Sequence, residues 1–113
     1  MSERSTEVLL EDIRECLARI LEYTKDIDEK QFIENNLVVD AVLRNIEVIG
    51  EASSKLPESF IEAHPDIEWR KMIGMRNRLI HGYFGTSLKL VWQTIQANLP
   101  DLQKKLNHLQ RFP

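Results

Sequence analysis

The sequence has few of the residues that break helices or cross-link chains. Its 113 residues include four glycines, four prolines and one cysteine. The single cysteine, Cys16, excludes an internal disulfide and cannot by itself make a zinc site. No apolar run approaches the roughly 18–20 residues of a membrane span, and the polar residues 1–5 lack the apolar segment of a signal peptide. We therefore expect a protein of the reducing cytoplasm, with no membrane association, metal or cofactor.

Charge is unevenly distributed along the chain, although the formal net charge is only −3. Residues 1–36 carry ten acids against five bases, residues 37–65 five against two, and residues 66–113 three against eight. A basic C-terminal half can attract a phosphate backbone, while the acidic half limits indiscriminate binding. A merely polarised surface fits the same numbers, so charge alone assigns no partner.

Apolar residues recur with helical spacing along most of the chain, and no strand-like alternation appears. Asp28 and Gln31 resemble a capping box, and Asp66 is predicted to cap a helix that Gly82 closes. The predicted helices cover residues 6–24, a short turn from 28 to 35, 37–55, a short segment after Pro57, 67–80, and 88 onward, with a kink or a new helix at Pro100. The prediction is a single all-α domain over residues 1–113, an up-and-down bundle of four to five helices.

Arg76 is the anomaly within this pattern. At about 100° per residue it falls in the middle of an arc roughly 120° wide. The other members of that arc are apolar, namely Trp69, Met72, Ile73, Leu79 and Ile80. An arginine is costly to bury unless a carboxylate or a ligand anion satisfies it. Arg76 is therefore either the centre of a buried ion pair or the floor of an anion site, and candidate acids on the second long helix are Asp40, Glu47 and Glu51.

His81 follows Arg76 on the same predicted helix, about 140° around its axis. The two side chains can converge on one ligand only at a helix end or across an interface between helices. A helix C-terminus favours the imidazolium form, and histidine titrates near neutral pH. Asn77, one turn earlier, can orient the ring or bind a phosphate oxygen. A simple capping role for His81 stays open, whereas His64 and His108 have no supporting neighbours and are interpreted as structural or surface residues.

Residues 76–83, Arg-Asn-Arg-Leu-Ile-His-Gly-Tyr, resemble the Arg-x4-His-x-Tyr signature of HepT-like HEPN domains (higher eukaryotes and prokaryotes nucleotide-binding domains). The similarity includes residues 67–75, residues 45–52 on the second long helix, and the segment with Trp92 and the break at 98–100. It spans most of the chain from about Leu37 onward.

The resemblance implies a homodimer in which the Arg-x4-His motifs of both protomers line a shared cleft. It implies a metal-independent endoribonuclease that acts as a toxin on tRNA or mRNA, and a cognate minimal nucleotidyltransferase antitoxin that transfers AMP to the motif tyrosine. By position, Arg76 and His81 are the catalytic pair, Asn77 is an auxiliary polar residue and Tyr83 is the AMPylation site. Two further auxiliary polar positions, whose place relative to the site does not follow from the sequence, are Asp40 and Glu51.

The chemistry of RNA cleavage suits these residue types. RNA carries its own nucleophile, the 2′-hydroxyl, so an enzyme need only move protons and stabilise the phosphorane. Histidine moves protons near neutral pH, and arginine offers planar, permanently charged donors to the non-bridging oxygens.

Two other classes of function compete with the nuclease. A non-catalytic helical dimer would use Arg76 to hold a nucleotide phosphate or a partner's carboxylate, with His81 as a cap. A metalloenzyme is disfavoured, because no His-x-x-x-His or Glu-x-x-His set accompanies the acids of the second long helix.

Overall fold

The computed structural model describes residues 5–82 and 87–109, apart from the side chains of residues 80–82. The predicted all-α class is confirmed, since the described residues form helices and no strand. The described residues form seven helices, where four to five were predicted, because the two short segments and the two sides of the Pro100 break form separate elements. They are α1 (Thr6–Thr24), α2 (Glu29–Glu34), α3 (Asn36–Ser54), α4 (Glu58–Ala63), α5 (Trp69–Gly82), α6 (Leu88–Ala97) and α7 (Leu99–Leu109).

Side-chain caps fix where several helices begin. The predicted capping box is confirmed at α2, where the Gln31 backbone N–H donates to Asp28 Oδ1 at 2.8 Å and the Asp28 N–H donates to Gln31 Oε1 at 2.9 Å. Ser87 caps α6 by accepting from the Leu90 N–H at 3.2 Å. Such caps satisfy backbone donors that have no partner within the helix. Pro100 lies in the first turn of α7, so the break starts a new helix rather than a kink.

The predicted cap at Asp66 is wrong. The helix starts at Trp69, because a turn intervenes in which the Ile67 N–H donates to the His64 carbonyl at 3.2 Å. The Asp66 carbonyl instead accepts from Lys105 Nζ of α7 at 2.6 Å. Asp66 has a side chain that can cap a helix, but in the fold this residue contacts α7 instead.

α3 is the central helix of the bundle and packs extensively against both α1 and α5. α7 packs against α1 and α6, and α2 against α3 and α6. The core between them consists of fully or almost fully buried apolar side chains, which hold the bundle together by removing apolar surface from water. Its largest members are Trp69, Phe32, Ile13, Leu17, Ile20, Ile49, Ile95, Leu99 and Leu106.

Two other properties of the described residues bear on the expectations from sequence. None of the helices combines the length and the apolar character that crossing a bilayer requires. Cys16 is buried on α1, and burial raises the pKa of its thiol. A thiol with a raised pKa is less often the reactive thiolate, so Cys16 acts as a small core side chain.

Two glycines inside helices have opposite surroundings. A Cβ on Gly50 of α3 would lie 2.8 Å from the Met72 carbonyl oxygen of α5 and would collide with the Cβ of Arg76. A Cβ on Gly74 of α5 would meet no atom within 4 Å. Gly50 therefore permits the close approach of α3 and α5, whereas Gly74 faces open space.

Substituting alanine at each glycine should change stability in opposite directions. We expect Gly50→Ala to lower the free energy of unfolding by about 1–3 kcal/mol, because an added methyl group overpacks the α3–α5 contact. Gly74→Ala should raise it by about 0.5–1 kcal/mol, because alanine loses less backbone entropy in a helix. Urea unfolding of both variants measures the two changes, and a stabilised Gly50→Ala variant would contradict the close packing.

Candidate active site

Arg76 lies on the face of α5 that packs against α3. Only 18% of its side chain is exposed, although its charge strongly favours water. Its Nε is buried and has no hydrogen-bond partner among the described residues. The absence of a side chain at Gly50 lets the first carbons of Arg76 lie directly on the α3 backbone. The guanidinium is therefore held at the helix interface with hydrogen-bonding capacity to spare.

Glu51 is the acid that meets this arginine. Its Oε1 lies 3.5 Å from Arg76 Nη1, beyond the 2.7–3.2 Å of a normal N–H···O hydrogen bond. The Glu51 side chain is 47% exposed, so water competes for its carboxylate. A guanidinium offers five N–H donors. Within the part of the chain that the structure describes, this one loose ion pair therefore neutralises Arg76 only in part.

The other two acids proposed as partners of Arg76 lie elsewhere on α3. Glu47 pairs with Arg44 of the same helix, with Oε1 and Nη1 3.6 Å apart. Asp40 is exposed and precedes Glu51 by eleven residues, which is about 16 Å along a helix axis. The structure thus selects Glu51 from the three candidates, while an auxiliary role for Asp40 stays a prediction.

The remaining motif residues follow Arg76 on or just beyond α5. Asn77 is exposed, one turn before His81. The helix continues through Gly82, so the backbone of residue 81 is helical and stands in the last turn. The His81 side chain and all of Tyr83 lie outside the described residues, so the roles assigned to them remain predictions.

Gly50 is the site residue that reasoning from the sequence missed. It stands inside a long helix, where glycine is less favourable than alanine by roughly 0.8–1.0 kcal/mol. A glycine inside a helical pattern was the available signal, because it is unfavourable there and can have a packing reason. The glycine alone does not predict which residue of another helix packs against it, which in the structure is Arg76.

Comparisons with known proteins identify the family of the chain. Residues 13–109 match the model of the family described as ribonuclease HepT-like. The chain belongs to this family. The resemblance seen in residues 76–83 is thereby confirmed as a family relationship that covers nearly the whole chain.

Two relatives of this HepT-like chain match it over almost their full length. A protein of Methanocaldococcus jannaschii, named as a candidate RNase, is 41% identical over 106 residues, which are 94% of this chain and 97% of the relative. A protein of Thermococcus cleftensis named "Probable ribonuclease HepT" is 39% identical over 109 residues, 96% of this chain and 99% of its own. No solved structure matches the chain significantly.

Replacing Arg76 should show that this HepT-like chain does not need the arginine for folding. We expect Arg76→Met to leave the free energy of unfolding unchanged or to raise it by up to about 2 kcal/mol, because an apolar side chain removes a buried, unsatisfied Nε. Urea unfolding measures the change.

The matched control is Arg78→Met on the same helix. Arg78 is exposed, so its substitution should stay within about 0.5 kcal/mol of wild type. A loss of 3 kcal/mol or more in Arg76→Met alone would identify the Arg76–Glu51 pair as a structural element instead.

Proposed function

We propose that this HepT-like chain is a metal-independent endoribonuclease and the toxin of a toxin–antitoxin pair. The observation that carries the proposal is Arg76, held at a helix interface where the described residues give its Nε no partner and its guanidinium one loose carboxylate contact. A buried arginine with unused donors suits an anionic ligand. Family membership and relatives named as ribonucleases support the phosphodiester of RNA as that ligand.

Arg76 stabilises the transition state in this proposal. When the 2′-oxygen attacks phosphorus, negative charge builds on the non-bridging oxygens of the phosphorane. A guanidinium donates two parallel N–H bonds to such oxygens. Because packing against Gly50 already holds its first carbons, the side chain loses little freedom on binding. Glu51 acts as a positioning residue that limits where the guanidinium points.

His81 moves the protons of the reaction. As a base it takes the proton of the 2′-hydroxyl while the bond from the 2′-oxygen to phosphorus forms. As an acid it gives a proton to the 5′-oxygen while the bond from phosphorus to that oxygen breaks. The products are a 2′,3′-cyclic phosphate and a 5′-hydroxyl. Such transfers contribute typically about 10²–10⁴-fold to a rate.

A homodimer supplies both protonation states at once. Residues 76 and 81 stand about 140° apart around one continuous helix, so they do not share a face of α5. Two protomers related by a twofold axis would present two histidines and two arginines to one cleft. One His81 would then be the base and the other the acid, with Asn77 as an auxiliary donor.

Regulation in this proposal acts on Tyr83. The cognate minimal nucleotidyltransferase transfers AMP from ATP to the tyrosine hydroxyl, two residues beyond His81: the tyrosine oxygen bonds to the α-phosphorus and pyrophosphate leaves. The modification places bulk and negative charge where the RNA phosphate must bind, and like charges repel. The toxin is thereby inactivated without being unfolded.

The ribonuclease is tested by cleavage of end-labelled total RNA in EDTA. We expect the wild type to cut and leave 2′,3′-cyclic phosphate ends, and His81→Ala to lose at least about 10²-fold in rate. The matched control is His108→Ala, an exposed histidine on α7, which should cut like the wild type. An RNA with 2′-deoxy nucleotide at the cleavage site should resist.

Three results would speak against this chemistry. Cutting of the deoxy substrate would contradict attack by the 2′-hydroxyl, and cutting by His81→Ala would contradict the role of the histidine. Absence of cutting by protein of unmodified intact mass would favour the non-catalytic dimer that binds a nucleotide or a partner protein.

The toxin role is tested by induced expression in bacteria. We expect the wild type to arrest growth, His81→Ala not to, and co-expression of the cognate nucleotidyltransferase to restore growth while adding the mass of one AMP. Tyr83→Phe removes the accepting hydroxyl and should stay toxic and unmodified beside the antitoxin. Rescue of Tyr83→Phe together with a mass increase would place the modification on another residue.

A further inference from the structure

We infer that the groove between α5 and α6 binds a single-stranded segment of RNA next to the cleaved phosphodiester. This inference rests on the proposed ribonuclease function and names a binding surface for its substrate. The groove has a volume of about 490 Å³ and is lined by one face of each helix. It is separate from the contacts that Arg76 makes with Gly50 and Glu51, which lie on the α3 side of α5.

A basic edge follows α5 along this groove. Arg70, Lys71 and Arg78 line it, and all three side chains are exposed. Lys71 and Arg78 are seven residues apart, so they stand within about 20° of each other around the helix and about 10 Å apart along it. The two cations are therefore far enough apart to contact different phosphates of one strand.

Nearby carboxylates do not cancel this charge. Arg70 pairs with Glu58 at 2.7 Å and Lys71 with Glu68 at 3.5 Å, but all four side chains are largely exposed. Exposed ion pairs of this kind contribute about 0–1 kcal/mol, so a phosphate can replace the acid. Arg78 forms no ion pair with any residue that the structure describes.

The rest of the groove suits an unstacked base. Its floor is open at Gly74, and its apolar lining consists of Leu90, which is 39% exposed, and the largely buried Met75. Gln93 and Asn98 supply amide donors and acceptors. Bases in a duplex are stacked and paired, whereas single-stranded bases present faces and edges to a protein. This mixture of surfaces favours a single strand over a duplex.

The groove also lies close to the position predicted for the catalytic histidine. Residue 81 follows Arg78 by three positions, which is about 4.5 Å along the axis and about 60° around it. The basic edge therefore runs toward the last turn of α5, where the catalytic histidine is predicted. A strand bound along the edge would reach that turn within one or two nucleotides.

The test measures binding without cleavage. A fluorescein-labelled 20-nucleotide 2′-O-methyl RNA, which has no free 2′-hydroxyl, is titrated in EDTA at several KCl concentrations and followed by anisotropy. Two variants probe the groove: Lys71→Gln with Arg78→Gln, which removes charge, and Gly74→Leu, which fills the floor. The matched control is Lys25→Gln with Lys30→Gln, two exposed lysines outside the groove with the same charge change.

We expect the double groove variant to bind at least tenfold more weakly at 0.1 M KCl. The slope of log K against log [KCl] should fall by about 1.4 in magnitude, because two phosphate contacts are lost at roughly 0.7 each. Gly74→Leu should bind at least fivefold more weakly with the slope unchanged, and the control within twofold of wild type. A 20-base-pair RNA duplex should compete poorly.

Equal affinity of both groove variants and the control would overturn the inference, as would equal affinity for the duplex. If the groove variants kept RNA affinity but lost self-association in light scattering, the groove would belong to a second copy of the chain. Because the probe cannot be cut by 2′-hydroxyl attack, these results are independent of cleavage. A protein that binds through the groove but cuts no RNA contradicts only the nuclease.

Discussion

The close approach of α3 and α5 at Gly50 is the contact on which the candidate site depends. At this point the helices are too near for any side chain but hydrogen on α3, and the Cβ of Arg76 occupies the space. The arginine is thus anchored by packing at its base, while its guanidinium extends toward Glu51. Packing against Gly50 fixes the position of the Arg76 Cβ, and the ion pair with Glu51 orients its guanidinium.

Holding an arginine in this way is unfavourable for folding. The buried Nε, which has no partner among the residues that the structure describes, has lost its hydration without a replacement there. A packed apolar side chain would avoid that loss, and one exposed carboxylate 3.5 Å away offsets little of it. Polar groups left unsatisfied in a folded protein often mark a function, because a ligand supplies the missing partner.

The two faces of α5 have different surroundings, one buried and one exposed. One face contributes Trp69, Met72 and Leu79 to the core and holds Arg76 against α3. The opposite side carries exposed bases and the open position at Gly74. The excess of basic residues after residue 65 is thereby partly concentrated along one helix. α5 therefore holds Arg76 on one face and carries a basic surface on the other.

Local sequence patterns were sufficient to predict the helices and part of the candidate site. Helical periodicity depends on neighbours three and four residues away, so the apolar arc around Arg76 and the capping box at Asp28 could be predicted without knowledge of the fold. The predicted cap at Asp66 was wrong, because a turn after His64 and a hydrogen bond from Lys105 of α7 involve residues that no local pattern relates to it.

Only the tertiary structure selected Glu51 from three acids on one helix, since the choice depends on which residue of α3 lies opposite Arg76. The same holds for Gly50, whose role exists only in contact with α5, and for the groove, which needs a face from each of two helices. The sequence by itself determined the helices, the charge asymmetry and the family motif, because these are properties of order and spacing along the chain. The distances between helices were decided by packing, because side chains remote in sequence must share one core.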